Sequence, residues 1–270
     1  ARPPLARRPA PPPPAASKVP APPATRETDA ARPAAPGPDE SGALPRDVAP
    51  ETAAEAWRDR VAALIRGREL GEARQLIEPG LERGEVGRET AGFLLEVCST
   101  TAARDLWRLR RALRRGGGDE APLDGSLAIT RLVLDAPVAQ ALPREQRCRV
   151  SCRLWRGHTR LGLRRWRAGS FEAAVEALFQ ALGVRDLDEG RRRLARDLLV
   201  RTLEDMAGQS LELIPQVLGD GDRTAGFERA QQLLGHIRRT REEGVSVEDL
   251  AVASARARQL LEHIEQATVR

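Results

Sequence analysis

The chain has 270 residues, with 44 Lys or Arg against 39 Asp or Glu and a formal net charge of +5. It contains no Tyr, four Phe and four Trp, so Leu is the main bulky anchor and a helical core is expected rather than a sheet-rich one. No window of 18 apolar residues occurs, hence no transmembrane segment is read, and three cysteines do not build a disulfide framework.

Lys18 is the only lysine, and the arginines are interleaved with acidic residues throughout. That pattern reads as a uniform compositional bias rather than a dedicated polyanion site. The cysteine usage points to a reducing compartment, with the cytoplasm as default. The chain starts at Ala1 with neither an initiator Met nor a signal-peptide pattern, as expected of a processed chain or an excerpt of a longer one.

Fifteen of the 20 prolines fall within residues 1–50, where Leu5, Val19, Leu44 and Val48 are almost the only large apolar side chains. This Pro/Ala-rich tail is expected to be disordered, because it cannot bury enough apolar surface to offset its ordering entropy. The folded part is expected over 51–270. Thr52 and Glu55 form a capping-box pattern, followed by a helix through Trp57, Val61, Leu64 and Ile65 that closes at Gly67. A second stripe runs from Leu70 to Leu81, with Pro79 expected to kink or end it.

Helices are then predicted over about 88–99 and 102–115, and the Gly-rich break over 116–122 is the best internal boundary candidate. Leu127 to Val133 fits a short helix or a buried strand, with helix favoured by its neighbours. Further helices are predicted over 144–168, 171–182, 189–207, 211–218 and 223–241, with a Gly-Asp turn over 219–222. The last runs from Ser246 to about Thr268, with Asp249 completing a capping box. Its apolar residues Leu250, Val252, Ala257, Leu260, Leu261 and Ile264 suit either a terminal cap or self-association as a homo-oligomer through 246–270. Ten or eleven helices with short connections make an all-α antiparallel array.

Between His158 and Ala181 two helical patterns meet at Gly169-Ser170, with small residues where the helices must touch. Leu161-Gly162, Gly169, Phe171, Ala174, Leu178 and Ala181 carry a spacing that resembles the tetratricopeptide repeat, a 34-residue helix–turn–helix unit. His158 stands at the family's Trp position, Arg165 at its Tyr position and Asp186 where Pro often ends the unit. A weaker copy runs through Trp57, Leu64, Leu70, Ala73 and Ile77. Trp57 and His158 are 158 − 57 = 101 residues apart, close to three periods, which invites four repeats over 54–188. The middle two match poorly, since Trp107 takes the place of the small residue.

The resemblance implies antiparallel hairpins stacked as a tetratricopeptide-like α-solenoid, a fold whose usual work is holding protein or peptide. It implies that Arg156, Thr159, Leu163, Trp166 and Arg167 line a partner groove. Arginines beside an indole suit an acidic or C-terminal carboxylate peptide; equally, Trp166 packs on a neighbouring repeat and the arginines are solvated. The alternative partner is RNA or another anionic surface, held by Arg108, Arg111 and Arg115 on one helix face. Cys148 and Cys152 at i, i+4 ahead of His158 fall short of a four-ligand zinc site and read as buried packing. No nucleophile–base signature, phosphate loop or cofactor motif is present in the sequence, so the chain reads as non-catalytic, without metal or cofactor.

Overall fold

The helical stripes become ten α-helices in a computed structural model that describes residues 50–115, 117–219 and 223–269. They are α1 (Pro50–Gly67), α2 (Leu70–Glu82), α3 (Arg88–Leu113), α4 (Ala121–Asp135), α5 (Pro137–Gln140), α6 (Arg144–Arg167), α7 (Phe171–Leu182), α8 (Glu189–Gly219), α9 (Arg223–Glu242) and α10 (Ala251–Val269). No strand occurs among the described residues. The tail expected over 1–50 lies, but for Pro50, outside them, as does the expected turn at Asp220–Asp222.

Three boundaries differ from expectation, each for a local reason. Where two helices are expected over 88–115, α3 runs unbroken, because Cys98, Ser99, Thr101 and Ala102 are all buried and carry its packing face through the junction, the Ser99 hydroxyl donating back to the Glu96 carbonyl at 3.3 Å instead of capping a new helix. Gly208 does not end α8. It makes room for Arg256 of α10, whose guanidinium donates to the Glu204 carbonyl at 2.7 Å. At α10 the capping pair forms as expected, with the Asp249 amide donating to Ser246 Oγ at 3.1 Å, but it stabilises a turn and the helix starts at Ala251.

Side-chain contacts fix the helix directions. Arg58 of α1 and Arg68 just past its end meet Phe93 and Asp105 of α3 in that order, so the two helices run parallel. Gln146 and Arg153 of α6 reach Gly92 and Ser99 of α3, again in order. Trp155 and Trp166 of α6 meet Arg191 and Asp205 of α8 likewise. Thus α1, α3, α6 and α8 run side by side in one direction. Each is followed by a return helix packed on it, respectively α2, α4, α7 and α9. The short α5 lies against α3 and α4, and α10 packs on α8 and α9.

Only one further hairpin, α3–α4 with α5, fills the 101 residues between Trp57 and His158. Residues 54–188 therefore hold three hairpins, not four 34-residue units. The two hairpins singled out in the sequence nevertheless close in the same way. In α1–α2 the amides of Arg68, Glu69 and Ala73 donate to the carbonyls of Ile65, Leu64 and Glu69. In α6–α7 those of Gly169, Ser170 and Ala174 donate to Trp166, Arg165 and Ser170. Every donor and acceptor is shifted by 101 residues. The pivot is left-handed in both, at φ 71° for Arg68 and 75° for Gly169.

Two apolar cores meet at the α6–α7 hairpin. Leu94, Leu95 and Leu109 of α3, Leu123 and Leu127 of α4 and Leu154 and Leu161 of α6 belong to the first. This core spans both sides of the 116–122 connection, so α3 and α4 share one interior. Val175, Leu178, Phe179 and Leu182 of α7 join Leu199 and Leu203 of α8, Leu250 just before α10 and Ala257 within it in the second. Each such side chain contributes roughly 1.5–3 kcal/mol through burial. The apolar residues of the C-terminal segment are spent on packing, Leu250 and Ala257 in the second core and Leu260 and Ile264 in a smaller one with Ile214 and Ala230, while Val252 is exposed.

Candidate functional site

Helix α6 has two chemically opposite faces. Its inner face carries Leu154, Gly157, Leu161 and Gly162, all buried. A Cβ at Gly162 would stand 2.9 Å from Leu178 Cγ, which measures how closely α6 and α7 approach. The outer face carries Arg156, Arg160 and Arg167, all exposed. None of the three has an ion-pair partner among the described residues, whereas Arg153 is held by Glu96 at 3.0 Å and Arg165 by Glu120 at 2.9 Å.

The five groove residues expected from the sequence divide between surface and interior. Arg156 and Arg167 are exposed and Leu163 is half-buried. Thr159 is buried, with its hydroxyl unpartnered, and so does not line the surface. The half-buried Trp166 donates its indole N–H to Asp205 of α8 at 2.7 Å, tying two neighbouring helices together. Of the two roles open to this tryptophan, helix-to-helix packing is the one its geometry fills.

The alternative trio is exposed but not on one helical face. Arg108 lies 3.8 Å from Asp105, and Arg111 stacks over the Trp107 ring at 5.4 Å. Arg115 falls past the end of α3 in a turn, where its amide donates to Ala112 O at 2.9 Å. The glycines that follow stop the helix at Leu113, so the i, i+4 spacing assumed for Arg115 is lost.

The fold joins the two sets. Because Ser99 pairs with Arg153 and Gly118 with Arg164, the last turns of α3 run beside the last turns of α6. The indole exposed on this surface is Trp107, at 59 %, rather than Trp166. Arg110 and Arg111 in the last turn of α3, Arg114 just past it, and Arg156, Arg160 and Arg167 of α6 are thus all exposed on two neighbouring parallel helices, with no ion pairs among the described residues. Arg160 was missed in the sequence, although its i, i+4 relation to Arg156 puts both on one face.

Nucleophile–base chemistry finds no assembled pair among the described residues. Cys98 is buried and desolvation pushes its thiol up to about 12. Cys148 and Cys152 are half-buried free thiols. His158 is 5 % exposed. Burial first, then Arg131 and Arg165, push its imidazole down to about 4 against the pull of Asp124. Comparison with family models, with curated proteins and with solved structures found no match to this chain.

Proposed function

We propose that this chain is a non-catalytic scaffold that binds an acidic protein or peptide, built as a tetratricopeptide-like α-solenoid. The observation that carries this reading is the seam between α3 and α6. Six exposed arginines without ion-pair partners among the described residues stand on or at the end of these two neighbouring helices, one of them, Arg111, over an exposed indole, and the helices share one core. Planar guanidiniums pair bidentately with carboxylates, and the indole offers an apolar anchor. The repeat reading is supported by the identical closure of the two hairpins, 101 residues apart. Display on a rigid stack is the mechanism, and the Pro-rich tail supplies reach.

The test is fluorescence anisotropy with a labelled Glu-rich peptide carrying one Leu, against the wild type and an R156A/R160A/R167A variant. The expected result is saturable binding that weakens at least tenfold in the variant. Equal affinity for both chains rejects the seam as the groove. A second reading, a polyanion surface for RNA, draws on Arg111 stacked over Trp107. Single-stranded nucleic acid is held best by several successive stacking platforms, and this seam exposes one aromatic ring, which favours peptide. An oligouridine probe that outbinds the peptide, with a steep loss between 50 and 200 mM salt, would reverse that preference.

A further inference from the structure

On the side of α6 opposite its arginine face, α4 and α7 part to leave a cleft of about 730 Å³, a size typical of small-molecule sites. Ala121, Gly125 and Ala128 line one wall and Ala177 the other, so small side chains hold the cleft open. His158 lines it from α6. The imidazole is 5 % exposed and its Nε2 has no hydrogen-bond partner. A buried nitrogen left in this state forgoes a hydrogen bond that a ligand can restore.

The charged groups around the cleft are already satisfied from within the chain. Arg131 is engaged by Asp135, by the side chain and carbonyl of Gln180 and by the Gly183 carbonyl. Arg165 is engaged by Glu120 and Asp124, Arg74 by Glu78, and Glu176 by Arg239. An ionic ligand would have to break one of these pairs to be recognised. A neutral one needs only the imidazole and the apolar walls.

We propose that this cleft binds a small neutral amphiphile, an apolar ring or short chain bearing one hydroxyl or carbonyl, with His158 as its hydrogen-bond partner. The site is separate from the peptide surface, since Arg156 and His158 lie on opposite faces of α6. The proposal stands or falls independently of the scaffold reading.

The experiment is titration of the isotopically labelled full chain with phenol, toluene and benzoate, followed by amide shifts around Ala128 and Ala177. In the wild type, phenol is expected to bind about tenfold more tightly than toluene, the worth of one buried hydrogen bond, and benzoate more weakly than phenol. In His158→Phe the preference for phenol over toluene should vanish. Ala128→Trp, on an exposed helix position, should fill the cleft and abolish saturable shifts for all three probes while leaving the helical spectrum intact. Absence of saturable shifts in the wild type overturns the proposal. So does a phenol preference that survives in His158→Phe, binding that survives Ala128→Trp, or a site that takes benzoate best.

Discussion

The hairpins α1–α2 and α6–α7 share one backbone design and fill it with different side chains. Both turn through a left-handed residue, and both bury a small residue and a large aliphatic at matching places, Ala73 with Ile77 and Ala174 with Leu178. They differ in where the helices come closest. In α6–α7 contact is tightest at the middle, where Gly162 lies under Leu178. The matching residue in α1 is Val61, fully buried, so that crossing is wider. In α1–α2 the glycine is Gly80, late in α2 and beneath the Trp57 ring. A repeat fold specifies the turn and the sum of volumes at each level, and leaves free which partner is the small one.

Introducing into α6 the side chain that α1 already carries is the strongest way to break this comparison. A Cβ at Gly162 meets Leu178 Cγ at 2.9 Å and the Ala174 carbonyl at 3.3 Å, so Gly162→Val forces the helices apart. We expect a loss of about 3 kcal/mol in urea unfolding, at the upper end for overpacking. Gly80→Ala is the paired control. Its Cβ would lie 3.3 Å from Val86 and 3.4 Å from Trp57, and the gain in helix propensity offsets the crowding, for a net change within about 1 kcal/mol. Equal costs at the two glycines would show that the crossings do not differ.

The second contrast is between Trp57, which does not titrate, and His158 at the matching position. The folded chain holds His158 at about 4, against about 6.5 for an unfolded histidine. Above pH 6.5 the ring is neutral in both states and costs nothing. As the pH falls from 6.5 towards 4, the unfolded chain takes up a proton that the folded chain refuses, so stability drops, by up to about 3 kcal/mol. His236 is shifted the same way by burial, so the wild type must be compared with His158→Phe. Urea midpoints that converge between pH 7 and pH 4 support the assignment, and parallel profiles reject it.

A smaller effect attaches to the first turn. Arg68 donates to Asp105 of α3, whose side chain is 2 % exposed. Removing the acceptor in Asp105→Ala strands a guanidinium that is itself only partly covered, so the cost is about 2 kcal/mol, below the range for a fully buried pair. Adding Arg68→Gly to that variant should recover stability, because the stranded charge and the left-handed strain leave together. A double variant no better than Asp105→Ala would mean that Arg68 is not what Asp105 serves.

What could be read in advance followed the range of the forces involved. Helix α7 begins and ends where the sequence puts it, because Gly169, Ser170 and Gly183 punctuate an apolar stripe that answers to local chemistry alone. The bounds of α8 were not legible. Gly208 looks like a helix breaker until Arg256, nearly fifty residues away, is seen to need its space. Site residues divided in the same way. Arg156 and Arg167 could be placed on an outer face by spacing, but Trp166 was drawn inward by Asp205, a partner that exists only once α6 and α8 are neighbours. Trp107 was visible as a residue and invisible as a surface, since its exposure depends on α6 standing beside α3.

The turn residues give the finest test of the shared design. Gly169 at φ 75° has nothing within 4 Å of a would-be Cβ, so Gly169→Ala introduces no clash, only the left-handed strain of about 1 kcal/mol that a Cβ brings. Gly169→Arg recreates the residue of the other hairpin without its acceptor, since Asp105 is engaged at the α1–α2 turn. If the two turns are equivalent in backbone and Arg68 is tolerated through its ion pair, both Gly169 variants should lose about the same 1 kcal/mol by urea midpoint. Arg68→Gly alone should lower stability on balance, because it leaves the carboxylate of Asp105, 2 % exposed, without its partner, and strain relief of about 1 kcal/mol offsets only part of that cost. A Gly169→Arg chain as stable as the wild type would mean that the turn itself accommodates a side chain, and that the pairing of Arg68 with Asp105 has another purpose than holding the hairpin closed.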